Sequence, residues 1–167
     1  VTLNGIVNNL NDGVVWGLLP VLLMQKGFGI GQIGIIAGVY PAVWGISQLF
    51  TGKLGDSHCK KQIITSGMFL QALAIIFMAM ATSFSFLIFA SILLGFGTAL
   101  VYPNFLSVIA EWTHPSQRAE SLSIFRLWRD SGYVFGAILS GVLADAFGIV
   151  NALFIVAAIT ATAGMIA

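Results

Sequence analysis

Apolar residues run in six long blocks along the chain, separated by short breaks of polar and turn-forming residues. The blocks cover about 3–24, 33–51, 62–82, 86–110, 122–144 and 149–167. About 20 mostly apolar residues in a helix cross the hydrocarbon core of a bilayer, so each block predicts a membrane-spanning α-helix. The breaks carry ordinary punctuation: Lys26-Gly27-Phe28-Gly29, a basic stretch from Gly52 to Lys61, Thr82-Ser83, Thr113-His114-Pro115-Ser116, and Phe147-Gly148. The pattern predicts an all-α membrane protein of six transmembrane helices, without a soluble domain or low-complexity linker.

Composition agrees. Hydrophobic residues make up 58% of the 167 and charged residues 8%, against roughly a quarter charged in a soluble domain. The net charge of +1 offers no basic surface for nucleic acid, and the expected surroundings are a lipid bilayer. A lone cysteine, Cys59, excludes an internal disulfide, and His58 and His114 have no second histidine at ligand spacing, so no metal site is expected. There is neither a phosphate-binding glycine loop nor a set of nucleophile, base and orienting group. No enzyme activity and no cofactor are expected. The chain starts at Val1 and stops inside an apolar run at Ala167, which reads as a fragment of a longer protein.

The placement of the few charges predicts topology. Lys53, Lys60 and Lys61 lie in the second break and Arg118 in the fourth, whereas the third and fifth have no basic residue and the first only Lys26. Basic residues collect in short cytoplasmic loops. Both ends are therefore expected in the cytoplasm, with the chain a multi-pass protein of a bacterial inner (plasma) membrane. Gly52-Lys53-Leu54-Gly55-Asp56 closes the second block and Gly141-Val142-Leu143-Ala144-Asp145 the fifth. On this topology the two helices run in opposite directions, as in a three-helix unit repeated with inverted orientation. The expected units are 1–84 and 85–167.

Gly52, Asp56, Lys60 and Lys61 satisfy, at the right spacing, a signature of the form Gly-x-x-x-Asp-Arg/Lys-x-Gly-Arg/Lys-Arg/Lys, with Ser57 and Cys59 departing from it. Gly95-x-Gly97-x-Ala99 followed by Pro103, and Pro115-x-x-Arg118, extend the likeness. On these motifs the chain resembles one six-helix half of a major facilitator superfamily transporter. The degenerate signature, and Ser91 where an N-terminal half usually has arginine, resemble the C-terminal half. The resemblance implies a cytoplasmic latch formed by Gly52, Asp56, Lys60, Lys61 and Arg118, and a partner in the other six-helix half.

Within the blocks the charged residues are few enough to be singled out. Asp12 lies roughly 13 Å into the first helix at ~1.5 Å per residue, and a carboxylate at that depth costs about 2.5–3.5 kcal/mol on insertion scales. Asn4, Asn8, Asn11 and Asp12 share an arc of about 100°, so one face of an apolar helix is polar. Substrate binding or proton carriage is one reading, and interhelical hydrogen bonding is the other. The fifth block carries Arg126, Arg129, Asp130 and Tyr133 on a similar arc. Arg126 and Asp130, spaced i, i+4, are expected to pair, leaving Arg129 as the free cation to anchor an anionic group, serve a gate, or meet Asp12. Asp56, at a helix C-terminus, opposes the helix dipole and needs a partner such as Arg118. Gly34, Gly38 and Gly45, and Gly132, Gly136 and Gly141, are expected at close helix contacts. Pro41 and Pro103 are expected to kink their helices. Tyr40, Trp44, Tyr102, Gln48 and Gln71 fit either a cavity wall or the packed core.

The expected function is secondary active transport of a small-molecule substrate by alternating access, proton-coupled, within a twelve-helix carrier. The alternative is a six-helix membrane module for assembly or signalling that moves nothing. A cleft at Asp12 and Arg129 would distinguish them.

Overall fold

In a bilayer every backbone polar group must be satisfied within the chain, and a helix does so over any uninterrupted apolar block. The computed structural model describes residues 1–167. Its helices are α1 (Thr2–Gln25), α2 (Ile30–Ser57), α3 (Lys60–Met80), α4 (Phe84–Trp112), α5 (Arg118–Phe147) and α6 (Ile149–Ile166), with one 3-10 turn at Pro115–Gln117. All but α5 are long and apolar enough to cross a membrane. At 30 residues α5 has the length, and it carries Arg118, Glu120, Arg126, Arg129, Asp130 and Asp145. The chain is an integral, multi-pass, all-α membrane protein.

Turn chemistry fixes the helix ends. Gly148, with φ of 82°, lets α5 pass into α6 through a single residue, and Gly27, with φ of 85°, follows α1. Ser83 caps α4 by accepting the amide of Phe86 at 3.4 Å. Lys26 donates to the carbonyls of Ala79 and Ala81 at 3.2 and 2.6 Å, closing the end of α3. Partial burial there pushes its ammonium pKa down. The basic stretch from Gly52 to Lys61 is not the loop that its composition suggests. Without a proline to stop it, α2 runs on through Ser57, and only His58 and Cys59 separate it from α3.

The helices pack in a reciprocal pattern. The chief partner of α1 is α5; α4 lies on α2 and α3; and α6 lies on α3 and α1. Exchanging α1 with α4, α2 with α5 and α3 with α6 maps α1–α5 onto α2–α4 and α3–α4 onto α1–α6, and leaves α3–α6 in place. The crossings run through small residues. A Cβ on Gly136 would stand 2.6 Å from the carbonyl of Leu10, and one on Gly13 would stand 2.9 Å from that of Tyr133. At the α2–α4 crossing a Cβ on Gly95 would stand 2.6 Å from the carbonyl of Tyr40. Gly34, Gly38, Gly45 and Gly141 depart from expectation, because nothing approaches within 4 Å of where their Cβ atoms would be. They lie on the open sides of α2 and α5. Those two helices are the least buried of the long ones: only Ile36, Tyr40, Thr51 and Gly55 of α2 and Phe125, Gly132, Gly136 and Ser140 of α5 are inside.

Two apolar clusters fill the interior. The larger includes Val14, Leu18, Leu22, Ile75, Leu94 and Val156, and the smaller Val7, Met68, Val101, Phe105 and Phe125. A polar layer of Asn8, Asn11, Gln71 and Thr160 lies at the level between them.

Candidate functional site

The polar face of α1 divides in two. Asn4, Asn8 and Asn11 turn into the bundle, where each amide left unpaired would cost about 1–3 kcal/mol. Asn4 donates to the Ala163 carbonyl at 3.0 Å. Asn11 donates to Gln71 at 3.0 Å and accepts from Thr160 at 2.6 Å, while Gln71 donates to Asn8 at 2.9 Å. Asn8 and Asn11 therefore tie α1 to α3 and α6. Gln71, fully buried, is their common partner.

Asp12 faces the other way, towards α2 and α5. Its Oδ1 accepts the hydroxyl of Tyr40, and its Oδ2 accepts that of Tyr133 at 3.4 Å. Asp12 is 4% exposed and has no cation in contact. It lines an open cleft together with Gly13, Trp16, Tyr40, Pro41, Trp44 and Tyr133. Four of these are aromatic: Trp16 one turn beyond Asp12 on α1, Tyr40 and Trp44 one turn apart on α2, and Tyr133 on α5. From Trp16 a run of ring contacts continues through Tyr40 and Trp44 to Tyr102, with centroids 6.3, 6.5 and 6.2 Å apart. The guanidinium of Arg129 ends the run, 4.6 Å from the centre of the Tyr102 ring. Tyr40, Trp44 and Tyr102 thus form a continuous aromatic run along the α1, α2 and α4 side of the bundle.

The expected pairing in α5 is corrected. Asp130 binds Arg129, its neighbour in sequence, through Nε at 2.8 Å and Nη2 at 2.6 Å, and Asn9 donates to the same carboxylate oxygen at 3.1 Å. Arg126 is exposed and makes no ion pair. The guanidinium that rests on Tyr102 is thereby brought back along its own helix to Asp130, and Arg129 is not the free cation. Nor does it touch Asp12; Tyr133 stands on Asp12 instead.

At the end of the bundle bearing the α2–α3 and α4–α5 connections, the signature residues are spread out. Lys60 is ion-paired with Glu111 at the end of α4. Gly52, Asp56, Lys61 and Arg118 are exposed, and Asp56 has no partner in the chain, neither Arg118 nor any other cation. Three residues escaped the sequence reading. Asn9 sits 100° from Asn8 and so off the arc considered; Trp16 lies one turn beyond Asp12, a spacing that could have revealed it; Glu111 is the one acid of α4.

The whole chain, residues 1–167, matches the family profile described as Major Facilitator Superfamily. Among curated proteins it is similar to the efflux pump terJ of Aspergillus terreus, 32% identical over 146 residues that make up 83% of this chain and 28% of that pump. It is also similar to the quinolone resistance protein NorA of Staphylococcus aureus, 27% identical over 136 residues, 81% of this chain and 35% of NorA. The chain spans about a third of the length of the relatives it matches.

Proposed function

The chain belongs to the Major Facilitator Superfamily, and from that premise we propose that it forms one six-helix half of a twelve-helix secondary carrier. The carrier moves a small solute by alternating access, and Asp12 exchanges the solute against a proton. The observation that carries this reading is the placement of Asp12: a carboxylate at membrane depth, opening on a cleft and held only by two phenol hydroxyls. Ionisable residues inside membranes are costly, and function is the default explanation for them.

The chemistry follows from what a carboxyl group can do. Ionised, Asp12 accepts both hydroxyls and has capacity left for a cation. Protonated, it holds its charge neutral and becomes a donor. Proton and cationic solute therefore compete for one group, which is what an exchanger requires. The names of the relatives, an efflux pump and a drug resistance protein, favour solute leaving against protons entering.

The second half covers the open sides of α2 and α5, and the solute path lies between the halves. Residues 1–84 and 85–167 form the two inverted repeats, a reading supported by the reciprocal packing of α1 on α5 and α4 on α2 and by the paired crossings at Gly13 and Gly95. Lys53, Lys60, Lys61 and Arg118 put their end of the bundle in the cytoplasm, where Lys60 and Glu111 together with the exposed Asp56 and Arg118 engage the second half as a latch. A module that moves nothing would have no use for an open cleft at its buried carboxylate.

The test is solute flux in proteoliposomes containing the complete carrier under an imposed proton gradient. Wild-type carrier should accumulate solute against its gradient. Asp12→Asn should abolish gradient-driven accumulation, and accumulation by this variant at the wild-type level would refute the assignment.

A further inference from the structure

The buried amides of the core and the ion pair of α5 belong to one hydrogen-bonded chain. Asn8 donates to the side-chain oxygen of Asn9 at 3.2 Å, and so joins the layer of Asn11, Gln71 and Asn8 to the bond that Asn9 makes on Asp130. From the Thr160 hydroxyl the bonds run through Asn11, Gln71, Asn8 and Asn9 to the Asp130 carboxylate, linking α6, α1, α3 and α5. Every member before Asp130 is buried, none more than 3% exposed.

The chain has a single sense. In Asn11, Gln71, Asn8 and Asn9 alike, the oxygen accepts from the residue before and the nitrogen donates to the residue after. An ionised carboxylate only accepts, so Asn9 must turn its nitrogen to Asp130, Asn8 must turn its nitrogen to the oxygen of Asn9, and so on back to Asn11. Aligned amides polarise one another in a dry interior, and the donor end of the row meets the carboxylate.

The pair at that end needs outside support. Residues adjacent in a helix do not face each other, and an ion pair that is half exposed is held weakly by its own charges. Asp130 is 51% exposed, and Asn9 is its one hydrogen-bond partner outside α5. Arg129 is steadied separately, on the Tyr102 ring of α4. A second carboxylate lies within its reach. Asn9 and Asp12 are one turn apart on the side of α1 that meets α5, as Asp130 and Tyr133 are on α5, so Asp12 is only about 4.5 Å further along the helices.

We propose that Asn9, backed by Asn8 and Gln71, is a positioning residue: it fixes the Asp130 carboxylate so that Arg129 stays paired within α5 and Asp12 is left without a cation. Once Asp130 is loosened, the guanidinium swings to Asp12 and displaces Tyr133. The consequence for exchange rests on reading Asp12 as the exchanging group.

The test is solid-state NMR of the complete carrier in lipid, with isotope labels on arginine nitrogens and aspartate carboxyl carbons, which reads guanidinium–carboxylate contacts directly. Arg129→Lys, Asp130→Asn and Asp12→Asn assign the signals. Wild type should show Arg129 in contact with Asp130. Asn9→Leu, which keeps the branching of the side chain and removes its donor, should move that contact to Asp12. Gln71→Met, which leaves α1 and α5 unchanged, should move it in part, and it decides alone if Asn9→Leu does not fold. A contact that stays wholly on Asp130, or leaves it without reaching Asp12, would overturn the proposal. Flux under a proton gradient gives a second readout. It should fall several-fold in Asn9→Leu and rise again when Arg129→Gln is added, a recovery that a packing defect would not show; flux that stays low in the double variant would contradict the proposal. A contact moved to Asp12 with flux unchanged would instead remove the exchange reading of Asp12 and leave the positioning role standing.

Discussion

Tyr40 of α2 donates its hydroxyl to Asp12 of α1, across two helices that otherwise touch only lightly. Tyr133 of α5 approaches the other oxygen of the same carboxylate. One side chain of α1 thus links the two helices whose outer faces lie open, and a change at Asp12 is felt by both.

Tyr40→Phe keeps the ring, and with it the contacts to Trp16 and Trp44, while removing the bond to Asp12. Loss of a hydrogen bond to a charged group costs about 1.5–3 kcal/mol. The expected outcome is a lowered unfolding temperature in detergent and gradient-driven flux reduced at least tenfold. Tyr133→Phe, whose bond is longer, should have the smaller effect in both assays.

The ion pair in α5 can be assigned by double-mutant cycle. Arg129→Gln and Asp130→Asn should each destabilise by about 1–3 kcal/mol, towards the lower end because Asp130 is half exposed, and they should be strongly non-additive. Arg126→Gln should cost under about 0.5 kcal/mol, as for an exposed surface position, and should add to Asp130→Asn without coupling. Unfolding in denaturant reads both cycles.

The glycines of α5 divide sharply. Ala at Gly132 would put its methyl against the Ile6 carbonyl of α1, a backbone atom that cannot move aside, and should cost about 1–3 kcal/mol. Gly141→Ala meets nothing within 4 Å and should leave the melting temperature of the six-helix unit unchanged or slightly raised, since alanine gains up to about 1 kcal/mol in a helix.

Lys60 and Glu111 join the start of α3 to the end of α4 at the bundle surface. Exposed pairs contribute about 0–1 kcal/mol, so Lys60→Glu should scarcely alter thermal stability. If the pair belongs to the latch, flux should fall in Lys60→Glu and recover when Glu111→Lys is added.

The six helices were legible because apolar blocks of this length have one stable form in a bilayer, and their ends shifted mainly where charged residues kept their helical hydrogen bonds, as in α2 beyond Thr51. The site was legible in part. Asp12 and Tyr133 stand out as rare polar groups at depth, and the structure brings them together. The pairing in α5 was not legible, because spacing within one helix favours Arg126 with Asp130 and only the neighbouring α4 supplies the Tyr102 ring that positions Arg129. The arc on α1 left two readings open for the same reason, and the asparagines form the interhelical hydrogen bonds of one of them. A face is a property of one helix, whereas Asn8 and Asn11 look towards α3 and α6 and Asp12 towards α2 and α5. Gly34, Gly38 and Gly45 have the composition of a contact surface, but the six helices place no neighbour against them.

The central claim is that the Asp12 cleft belongs to a water-filled path opened in turn to each side of the membrane. It is tested most directly by introducing Tyr133→Cys into the complete carrier with Cys59→Ser, and labelling with a membrane-impermeant maleimide from either face of oriented vesicles. The account predicts labelling from both faces, with each protected when the carrier is trapped open to the opposite face. A thiol that reacts from neither face, or from one face alone in every state of the carrier, would contradict it.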